Sequence, residues 1–240
     1  NMIKSTKKNI QIKLASVKDA EKCNNFFNSI YNEGRPNSYW IWEFVNNKEK
    51  SSAELPYVYA EVEGQVKGIQ AYIEVPFISP AGTFKSAKSE DTLVDPSLRG
   101  MGVFQKMYGA LFERAAKDNV RLIWGFTPLE KAFEKVGFET VGHVGQLIKP
   151  LKPNFIVDLL NATQSSKRKK NKTLEVIFGG LLLAYSRLKS WSKVTTSIEL
   201  IKLNEAPEWG AELTKNFIGE WGGNTILRSA NYLDWRFFKN

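Results

Sequence analysis

Alternating apolar and polar residues mark several short stretches in the first 150 positions of the chain. Two such runs flank Glu63-Gly64-Gln65 and predict a hairpin, because a glycine-containing turn between alternating runs is typical of antiparallel strands. Residues 76–82, rich in Pro and Gly, predict a connection to the next strand. The predicted strands are Ile10–Leu14, Tyr57–Val62, Val66–Val75, a strand ending at Val94, Val120–Phe126 and Phe138–Ile148.

Helical spacing of apolar residues separates these strands. The clearest pattern begins at Val103, and its apolar face carries Phe104, Met107, Tyr108, Leu111, Phe112 and Ala115. Val17–Tyr31 predicts a first helix. Tyr39–Val45 predicts one or two aromatic-rich helical turns that serve either core packing or the wall of a pocket. Pro128 and Gly137 bracket a short helix, and the predicted order is β-α-α-β-β-β-α-β-α-β.

Beyond residue 150 the pattern changes. Residues 161–173 are polar and strongly basic and predict an exposed linker, whereas residues 174–188 predict a helix that is apolar on nearly all sides. Three environments suit such a helix: a buried position between domains, an anionic membrane surface, or an oligomer contact. A strand at Ser197–Leu203 and a helix at Trp209–Trp221 follow. We therefore expect three parts, residues 1–150, 151–198 and 199–240.

The net charge of +9 is concentrated in one segment. Residues 167–193 contain eight Lys and Arg residues and one Glu, so this segment carries +7 and the remainder of the chain only +2. A protein that binds nucleic acid through its fold carries basic charge on the folded surface, so this distribution argues against nucleic acid as a partner. The basic segment leaves peripheral membrane contact open.

A single cysteine, Cys23, and a single histidine, His143, limit the chemistry of the chain. One cysteine excludes an internal disulfide framework, which fits a cytoplasmic location. Cys23 lies in a predicted helix, where we expect a buried and inert thiol. One histidine argues against a His-rich metal site and against a Ser-His-Asp triad.

The most informative stretch is residues 90–104, where a strand and a proline turn lead into a glycine loop. The loop is Arg99-Gly100-Met101-Gly102, and the helix at Val103 follows it directly. Glycines at this spacing let the backbone turn without Cβ clashes, so successive N–H groups can face one point. The helix start adds unpaired N–H groups and the positive end of its dipole. Together these features predict a binding site for a pyrophosphate.

Two motifs in this region resemble the GNAT superfamily of acyl-CoA-dependent N-acetyltransferases. Val94-x-Pro-x-x-Arg-Gly-x-Gly resembles its CoA-binding motif, and residues 132–138, Ala-Phe-Glu-Lys-Val-Gly-Phe, resemble its Ala…Tyr-Glu-Lys-x-Gly-Phe segment. The resemblance covers residues 9–148, and the predicted element order agrees with it. It implies an α/β (α+β) fold with a mixed, mostly antiparallel central sheet flanked by helices, a smaller C-terminal extension, and acetyl-CoA as the acyl donor.

The resemblance also implies roles for individual residues. In this superfamily the strand before the glycine loop pairs with the pantetheine arm of CoA, so Leu93 and Val94 would contact the arm through their backbone. The loop and the helix start would hold the pyrophosphate through Arg99, Gly100, Met101, Gly102, Val103 and Phe104. Two positions depart from the motifs. Ser97 stands where Gln or Arg is usual, and Phe133 replaces the tyrosine that usually protonates the leaving thiolate.

Glu90 and Asp91 are the candidates for the base that accepts the amine proton. We favour Glu90, because many members of the superfamily carry a glutamate on this strand, and Asp91 is its rival. Neighbouring residues of a strand face opposite sides, so only one of the two is expected to face the cleft. Either could instead be a solvated carboxylate without a catalytic role.

The sequence thus predicts an N-acyltransferase that moves an acetyl or short acyl group from CoA to a small amine, such as an amino sugar or an amino acid. A variant places acyl transfer at a membrane surface through the basic helix, and a rival hypothesis is a non-catalytic GNAT-like interaction module. The tail Tyr232–Phe238 resembles a segment that leads into a second half in two-part GNAT-like proteins. Because the chain stops at Asn240, we expect a truncated or degenerate second unit.

Overall fold

The structure, a computed structural model, describes residues 9–32, 34–50, 52–144 and 201–239, together with positions 180, 181 and 184. The chain divides into two compact units, one formed by residues 1–140 and 202–240 and the other by residues 141–201. All elements described below belong to the first unit. The predicted linker at 161–173 lies outside the described residues, as does nearly all of the predicted apolar helix at 174–188.

A six-stranded mixed sheet forms the centre of the first unit. Its strands are β1 (Ile10–Leu14), β2 (Tyr57–Val62), β3 (Gln65–Ser79), β4 (Gly82–Val94), β5 (Leu122–Trp124) and β6 (Thr225–Ile226). The first five are neighbours in chain order, and β6 pairs with β3. All pairs are antiparallel except β4 with β5. This confirms the mixed, mostly antiparallel sheet that the sequence predicted.

Helices follow the predicted order as far as residue 134. The α-helices are α1 (Ala20–Tyr31), α2 (Asn37–Trp40), α3 (Val103–Lys117), α4 (Glu130–Glu134), α5 (Trp209–Trp221) and α6 (Ala230–Leu233). A 3₁₀ turn precedes α1 at Val17–Asp19, and another lies at Pro96–Leu98. Both α2 and α6 continue directly into a π-helical turn, named here the first π-turn (Ile41–Val45) and the second π-turn (Asp234–Phe238).

Three predicted boundaries are wrong. β3 runs to Ser79, through much of the predicted connection, because β4 pairs with it along one edge and β6 pairs with Phe77 and Ile78 along the other. Residues 138–144 form no strand, and the remainder of the strand predicted at 138–148 lies outside the described residues. Residues 201–203 are not in a strand either. The Pro and Gly content of residues 76–82 and the alternation of the other two stretches were poor guides, since a strand exists only where another strand pairs with it.

Each face of the sheet buries its own hydrophobic layer, because successive residues of a strand point to opposite faces. On the α1 face, α1, α2 and the first π-turn pack against Tyr57, Tyr59, Ile69, Ala71 and Ile73. On the α3 face, Val103, Met107 and Leu111 of α3 pack against Val58, Ala60, Val62 and Tyr72. Burying one such aliphatic side chain contributes roughly 1.5–3 kcal/mol. The two layers therefore hold β2 and β3 between α1 and α3, and β4 is positioned by its pairing with β3.

Candidate functional site

A β-bulge interrupts β4 at Asp91. Leu93 pairs with Ile69 and Glu90 pairs with Ala71, so two residues of β4 lie between these pairs and only one residue of β3. Asp91 itself has φ +47°, in the left-handed region that non-glycine residues seldom adopt. The bulge therefore changes which face the following side chains point to.

Both candidate carboxylates lie on the α1 face as a result. Glu90 stands opposite Ala71, which belongs to the core of that face. The Asp91 carboxylate accepts a hydrogen bond from the hydroxyl of Tyr57, which belongs to the same core, at 3.0 Å. The prediction that the two would face opposite sides is therefore wrong, because it assumed a regular strand.

Asp91 is held in a buried ion pair with Arg35. The Arg35 Nη1 and Nη2 atoms donate to the two oxygens of Asp91 at 2.9 and 2.8 Å, and the side chains are 8% and 6% exposed. The remaining guanidinium nitrogen, Nε, donates to Asn24 Oδ1 at 2.6 Å. Planar, bidentate pairing of this kind is the strong form of an ion pair. It ties the loop before α2 to the bulge and occupies both Asp91 oxygens.

Glu90 is more accessible. Its side chain is 23% exposed, and the ammonium group of Lys88 on the same strand pairs with its carboxylate. An ion pair that solvent can reach is easily exchanged for another partner. Glu90, unlike Asp91, can therefore interact with a molecule entering from outside.

Among the described residues, the outer edge of β4 has no strand partner from Glu90 onwards. β5 pairs only with Ser86–Lys88. Next comes Gly125, where a Cβ would lie 3.4 Å from the Cβ of Ser89. In the part of the chain that the structure describes, no strand pairs with Glu90–Val94 along this edge. An extended ligand could therefore align along the backbone there, including Leu93 and Val94.

The glycine loop follows this open edge directly. Gly100 and Gly102 have φ +78° and +74°, and nothing lies within 4 Å of where their Cβ atoms would stand. Leu98 and Val103, both about 1% exposed, fix the two ends of the loop in the core of the α3 face. The structure thus places all eight sequence-predicted CoA contacts, from Leu93 to Phe104, at one end of β4.

The turn before the loop is held by Asp95. Its carboxylate accepts a hydrogen bond from the backbone N–H of Ser97 at 2.9 Å and pairs with Lys67 at 3.2 Å. The hydrogen bonds from Ser97, aided by Lys67, lower the pKa of Asp95. These contacts therefore hold the start of the loop in place.

Phe133 lies in a cluster of aromatic rings and is 9% exposed. Its neighbours are Phe104, Tyr108 and Phe138, with ring centroids 5.3–5.6 Å away. The Tyr108 hydroxyl forms a 2.7 Å hydrogen bond with the hydroxyl of Ser89 on β4, and burial raises the pKa of Tyr108. Sequence patterning placed Tyr108 only on the apolar face of its helix and missed this hydroxyl beside the open edge of β4.

Glu43, in the first π-turn, is a further residue that sequence reasoning missed. It is 5% exposed, although it lies between the buried aromatic residues Trp42 and Phe44. Burial raises the pKa of Glu43 to about 7, and the charges of Glu90 and Asp91 raise it further, against the opposing effect of Arg35 and Arg236. The carboxylate in an otherwise apolar and aromatic run was the signal that could have found it.

The aromatic residues of α2 and the first π-turn serve core packing for the most part. Trp40, Trp42 and Phe44 are at most 5% exposed, whereas Tyr39 is half-buried. The sequence predicted that Tyr39–Val45 serves either core packing or the wall of a pocket, and for the tryptophans the structure shows core packing. Cys23 is fully buried in the same core, and burial raises the pKa of its thiol to about 12, as expected for an inert cysteine.

The two π-turns are copies of one sequence pattern. Arg-x₃-Tyr-x₂-Trp-x-Phe occurs at Arg35–Phe44 and again at Arg228–Phe237. The Trp42 indole Nε1 donates to the Trp235 carbonyl at 2.8 Å, and the Trp235 Nε1 donates to the Trp42 carbonyl at 2.9 Å. The two indoles stack at 5.4 Å. Because the two hydrogen bonds are reciprocal, a local two-fold axis relates the two π-turns. A search of the sequence for internal repeats could have found the repeated pattern.

A separate apolar cavity of about 860 Å³ lies between α5 and the second π-turn. Most of its lining is aliphatic or aromatic, and its polar side chains are Thr214, Thr225 and Arg228. It includes neither the glycine loop nor the carboxylates of β4. Within the described ranges, no three potential metal ligands cluster together, and no helix is both long and apolar enough to cross a bilayer.

No protein-family model matches the chain, and no curated protein matches it either. Solved structures do resemble it. Glucosamine-6-phosphate N-acetyltransferase from Arabidopsis thaliana aligns over 60% of this chain and 99% of its own, with 14% identity and a TM-score of 0.46. Ribosomal-protein-alanine N-acetyltransferase from Brucella melitensis aligns over 59% and 99%, with 15% identity and a TM-score of 0.44.

A third similar structure is a predicted acetyltransferase from Clostridium acetobutylicum, solved with acetyl-CoA. It aligns over 58% of this chain and 96% of its own, with 17% identity and a TM-score of 0.45. These likenesses concern the general fold and leave the substrate open. The strand order of this chain agrees with the mixed, mostly antiparallel sheet that the sequence predicted, and a further C-terminal part packs on the same sheet.

Proposed function

We propose that this protein is an N-acetyltransferase that uses acetyl-CoA to acetylate a small amine. The observation that carries the proposal is the arrangement at the end of β4, where a strand edge with no pairing strand among the described residues runs directly into a loop with two glycines at positive φ. Open space at both Cβ positions fits a pyrophosphate held by backbone N–H groups. Acetyl-CoA, when bound, supplies an acyl group activated as a thioester.

The chain's own groups would bind and orient this donor. The first turn of α3 would hold the pyrophosphate through N–H groups that have no partners within the helix, together with the N–H groups of Gly100 and Gly102. The Met101 N–H already donates to the Leu98 carbonyl at 3.2 Å, so Met101 would contribute only its position in the loop. The open edge at Leu93 and Val94 would align the pantetheine arm as an additional strand. Orientation of this kind provides much of the acceleration in a reaction that joins two bound molecules.

Glu90 is the base in this proposal. It would accept the proton that the amine loses as its nitrogen bonds to the acyl carbon and the C–S bond breaks. Asp91 is a weaker candidate, because Arg35 and Tyr57 already occupy its oxygens. Phe133 has no proton for the leaving thiolate, so Tyr108, in the same aromatic cluster, is the candidate donor.

The test combines binding with turnover. We expect calorimetry to show micromolar binding of acetyl-CoA and of desulfo-CoA that persists at raised salt, and an assay for free thiol to show release of CoA with small amines. Glu90→Gln is expected to lower kcat about 10²-fold or more while acetyl-CoA still binds. Glu63→Gln, on the exposed hairpin turn, is the matched control and should change neither quantity.

A non-catalytic module is the second candidate, and Phe133 is the observation that favours it. Its phenyl ring stands where a proton donor is usual and is packed among three other rings. Acetyl-CoA binding without transfer to any amine would support this candidate over the enzyme. Failure of a folded protein to bind acetyl-CoA would reject both the glycine-loop site and the enzyme.

A further inference from the structure

Glu43 and Arg236 have no role in the reaction proposed above. They occupy equivalent positions in the two π-turns, since each directly follows the tryptophan of its repeat, Trp42 or Trp235. The local two-fold pairing of the tryptophans therefore brings an acidic and a basic side chain to the same part of the molecule. If the two repeats had the same residue at this position, two like charges would lie there. The opposite charges arise because one repeat has Glu43 and the other has Arg236.

Arg236 lacks the partners that Arg35 has. Its guanidinium carbon lies 5.3 Å from the ring of Trp42 and 5.8 Å from that of Trp235. Its buried Nη1 atom has no hydrogen-bond partner among the described residues. All three guanidinium nitrogens of Arg35, by contrast, are bound to Asp91 or Asn24. An unsatisfied buried donor calls for an explanation, and a bound anion is one.

Glu43 is a buried acidic side chain in the first π-turn. Its side chain is 5% exposed, and within the described chain the charged groups that act on its carboxylate do so without a hydrogen bond to it. Glu90 and Asp91 add negative charge from β4. Arg35 is neutralised by Asp91, so the field at Glu43 favours an additional cation.

Glu43 and Arg236 influence each other electrostatically, yet they form no direct ion pair in the described part of the chain. Glu43 is therefore not neutralised by contact with Arg236, and a molecule that carries both signs could contact each of them. Tyr39 is half-buried, and the charges of Glu43, Arg236 and Glu90 also act on it. Glu90, the proposed base, also acts on Glu43.

We propose that Glu43 and Arg236 bind a zwitterionic acceptor, with its amine at Glu43 and Glu90 and its carboxylate or phosphate at Arg236. The proposal rests on the proposed function and narrows its substrate to amines that carry an anionic group. Arginine suits this role because its planar fork matches carboxylate and phosphate oxygens. The C-terminal repeat thereby becomes part of the acceptor site.

Matched acceptor pairs test the proposal. One pair is a panel of L-amino acids and their amides, and the other is glucosamine 6-phosphate and glucosamine. Initial rates and calorimetric titrations are measured for the wild type, Arg236→Gln, Arg236→Lys and Glu43→Gln. The control is Lys239→Gln, which removes the same charge from an exposed side chain three residues further on. Thermal unfolding identifies any variant that is not folded.

We expect the wild type to prefer the anionic member of one pair by at least about tenfold in KM, and the preferred pair identifies the anion. Arg236→Gln should remove this preference and leave the KM for acetyl-CoA within about twofold, while Arg236→Lys restores part of it. Glu43→Gln should weaken the binding of both members of a pair by the same factor, because both members carry the amine. Lys239→Gln should behave as the wild type.

Three results would overturn the inference. The first is equal KM values of the wild type for the anionic and neutral members of both pairs, and the second is an equal change in these KM values in Arg236→Gln and Lys239→Gln. The third is that no anionic amine binds, by calorimetry, to a protein that binds acetyl-CoA. Failure of acetyl-CoA itself to bind would instead reject the proposed function. The titrations of anionic amines without acetyl-CoA still report on Arg236 in that case, and absence of binding there overturns the inference separately.

Discussion

Glu43 is a carboxyl group whose neighbours come from three separate parts of the chain. Burial is the main reason that its pKa rises to about 7 from an ordinary value of 4.5, with Glu90 and Asp91 adding to the effect. Arg35 and Arg236 oppose this effect and do not cancel it. A carboxyl group in this state binds a proton more tightly in the folded protein than in the unfolded chain, which links its titration to stability.

We predict that Glu43 makes the protein less stable as the pH rises. Between pH 4.5 and pH 7 the folded state holds a proton that the unfolded chain has lost, so the free energy of unfolding falls across this window. The full loss is about 3 kcal/mol, at roughly 1.4 kcal/mol per pKa unit. Glu43→Gln should remove this component and be more stable than the wild type at pH 8.

Urea denaturation of the wild type and Glu43→Gln at pH 5, 6, 7 and 8 measures the difference between their free energies of unfolding. Glu63→Gln, an exposed substitution of the same kind, is the control and should follow the wild type throughout. Parallel stability profiles of the wild type and Glu43→Gln would contradict a raised pKa at this residue.

At the scale of elements, the glycine loop and the hairpin turn between β2 and β3 have the same backbone conformation at one glycine each, in different surroundings. Gly64 in the hairpin turn and Gly100 in the loop have φ +77° and +78°, and both have open space at the Cβ position. The strain of an added side chain is therefore similar at the two positions. Gly100, however, lies at the end of β4, next to the open strand edge.

We predict that Gly64→Ala and Gly100→Ala lower stability by a similar amount, about 1 kcal/mol each, because both place alanine at positive φ. Only Gly100→Ala should lower the affinity for acetyl-CoA, by about tenfold or more, since its methyl group enters the space proposed for the pyrophosphate. Calorimetry gives the affinities and thermal unfolding the stabilities. Equal acetyl-CoA affinity in the two variants would count against a pyrophosphate at this loop.

The first unit as a whole depends on an interaction between segments that are far apart in the sequence. Trp42 and Trp235 exchange two hydrogen bonds across the local two-fold axis, and β6 adds a second link by pairing with β3. Both tryptophans are at most 5% exposed. Residues 202–239 therefore fold as part of the same core as β2 and β3, so loss of one tryptophan should affect the other.

We predict that Trp42→Phe and Trp235→Phe each lower the free energy of unfolding by about 1–3 kcal/mol, because each leaves a buried carbonyl without its donor. In the double variant the two effects should be non-additive by about 0.5 kcal/mol or more. Denaturant unfolding of the four proteins measures the coupling. Trp42→Phe combined with Trp124→Phe is the control pair and should be additive, since Trp124 donates to Ser86 on β4 instead.

Much of this architecture could be predicted because it depends on short-range patterns. The helix at Trp209–Trp221 and the strands β1 and β2 have the predicted bounds, since alternation or helical spacing over a few turns fixes them locally. The eight proposed CoA contacts are also neighbours in the sequence. A loop of this kind is recognisable from glycine spacing, because the backbone conformation that it needs is itself local.

What the sequence could not supply were relations between distant residues. It could not show that a bulge turns Glu90 and Asp91 to one face, since the bulge depends on the register of β3 against β4. Nor could it show that Arg35, 56 positions away, neutralises Asp91. These facts decide which of the two carboxylates is accessible and which is bound, and they follow from pairing and burial.

By itself, then, the sequence determined the class of fold, the glycine loop and the family that the chain resembles, because each is written in residues that lie close together. Only the tertiary structure decided the surroundings of each charge. It buried Glu43, bound Asp91 and brought Arg236 beside the first π-turn, through strand register and the pairing of Trp42 with Trp235. Burial and charge depend on everything within several ångströms, and most of that comes from elsewhere in the chain.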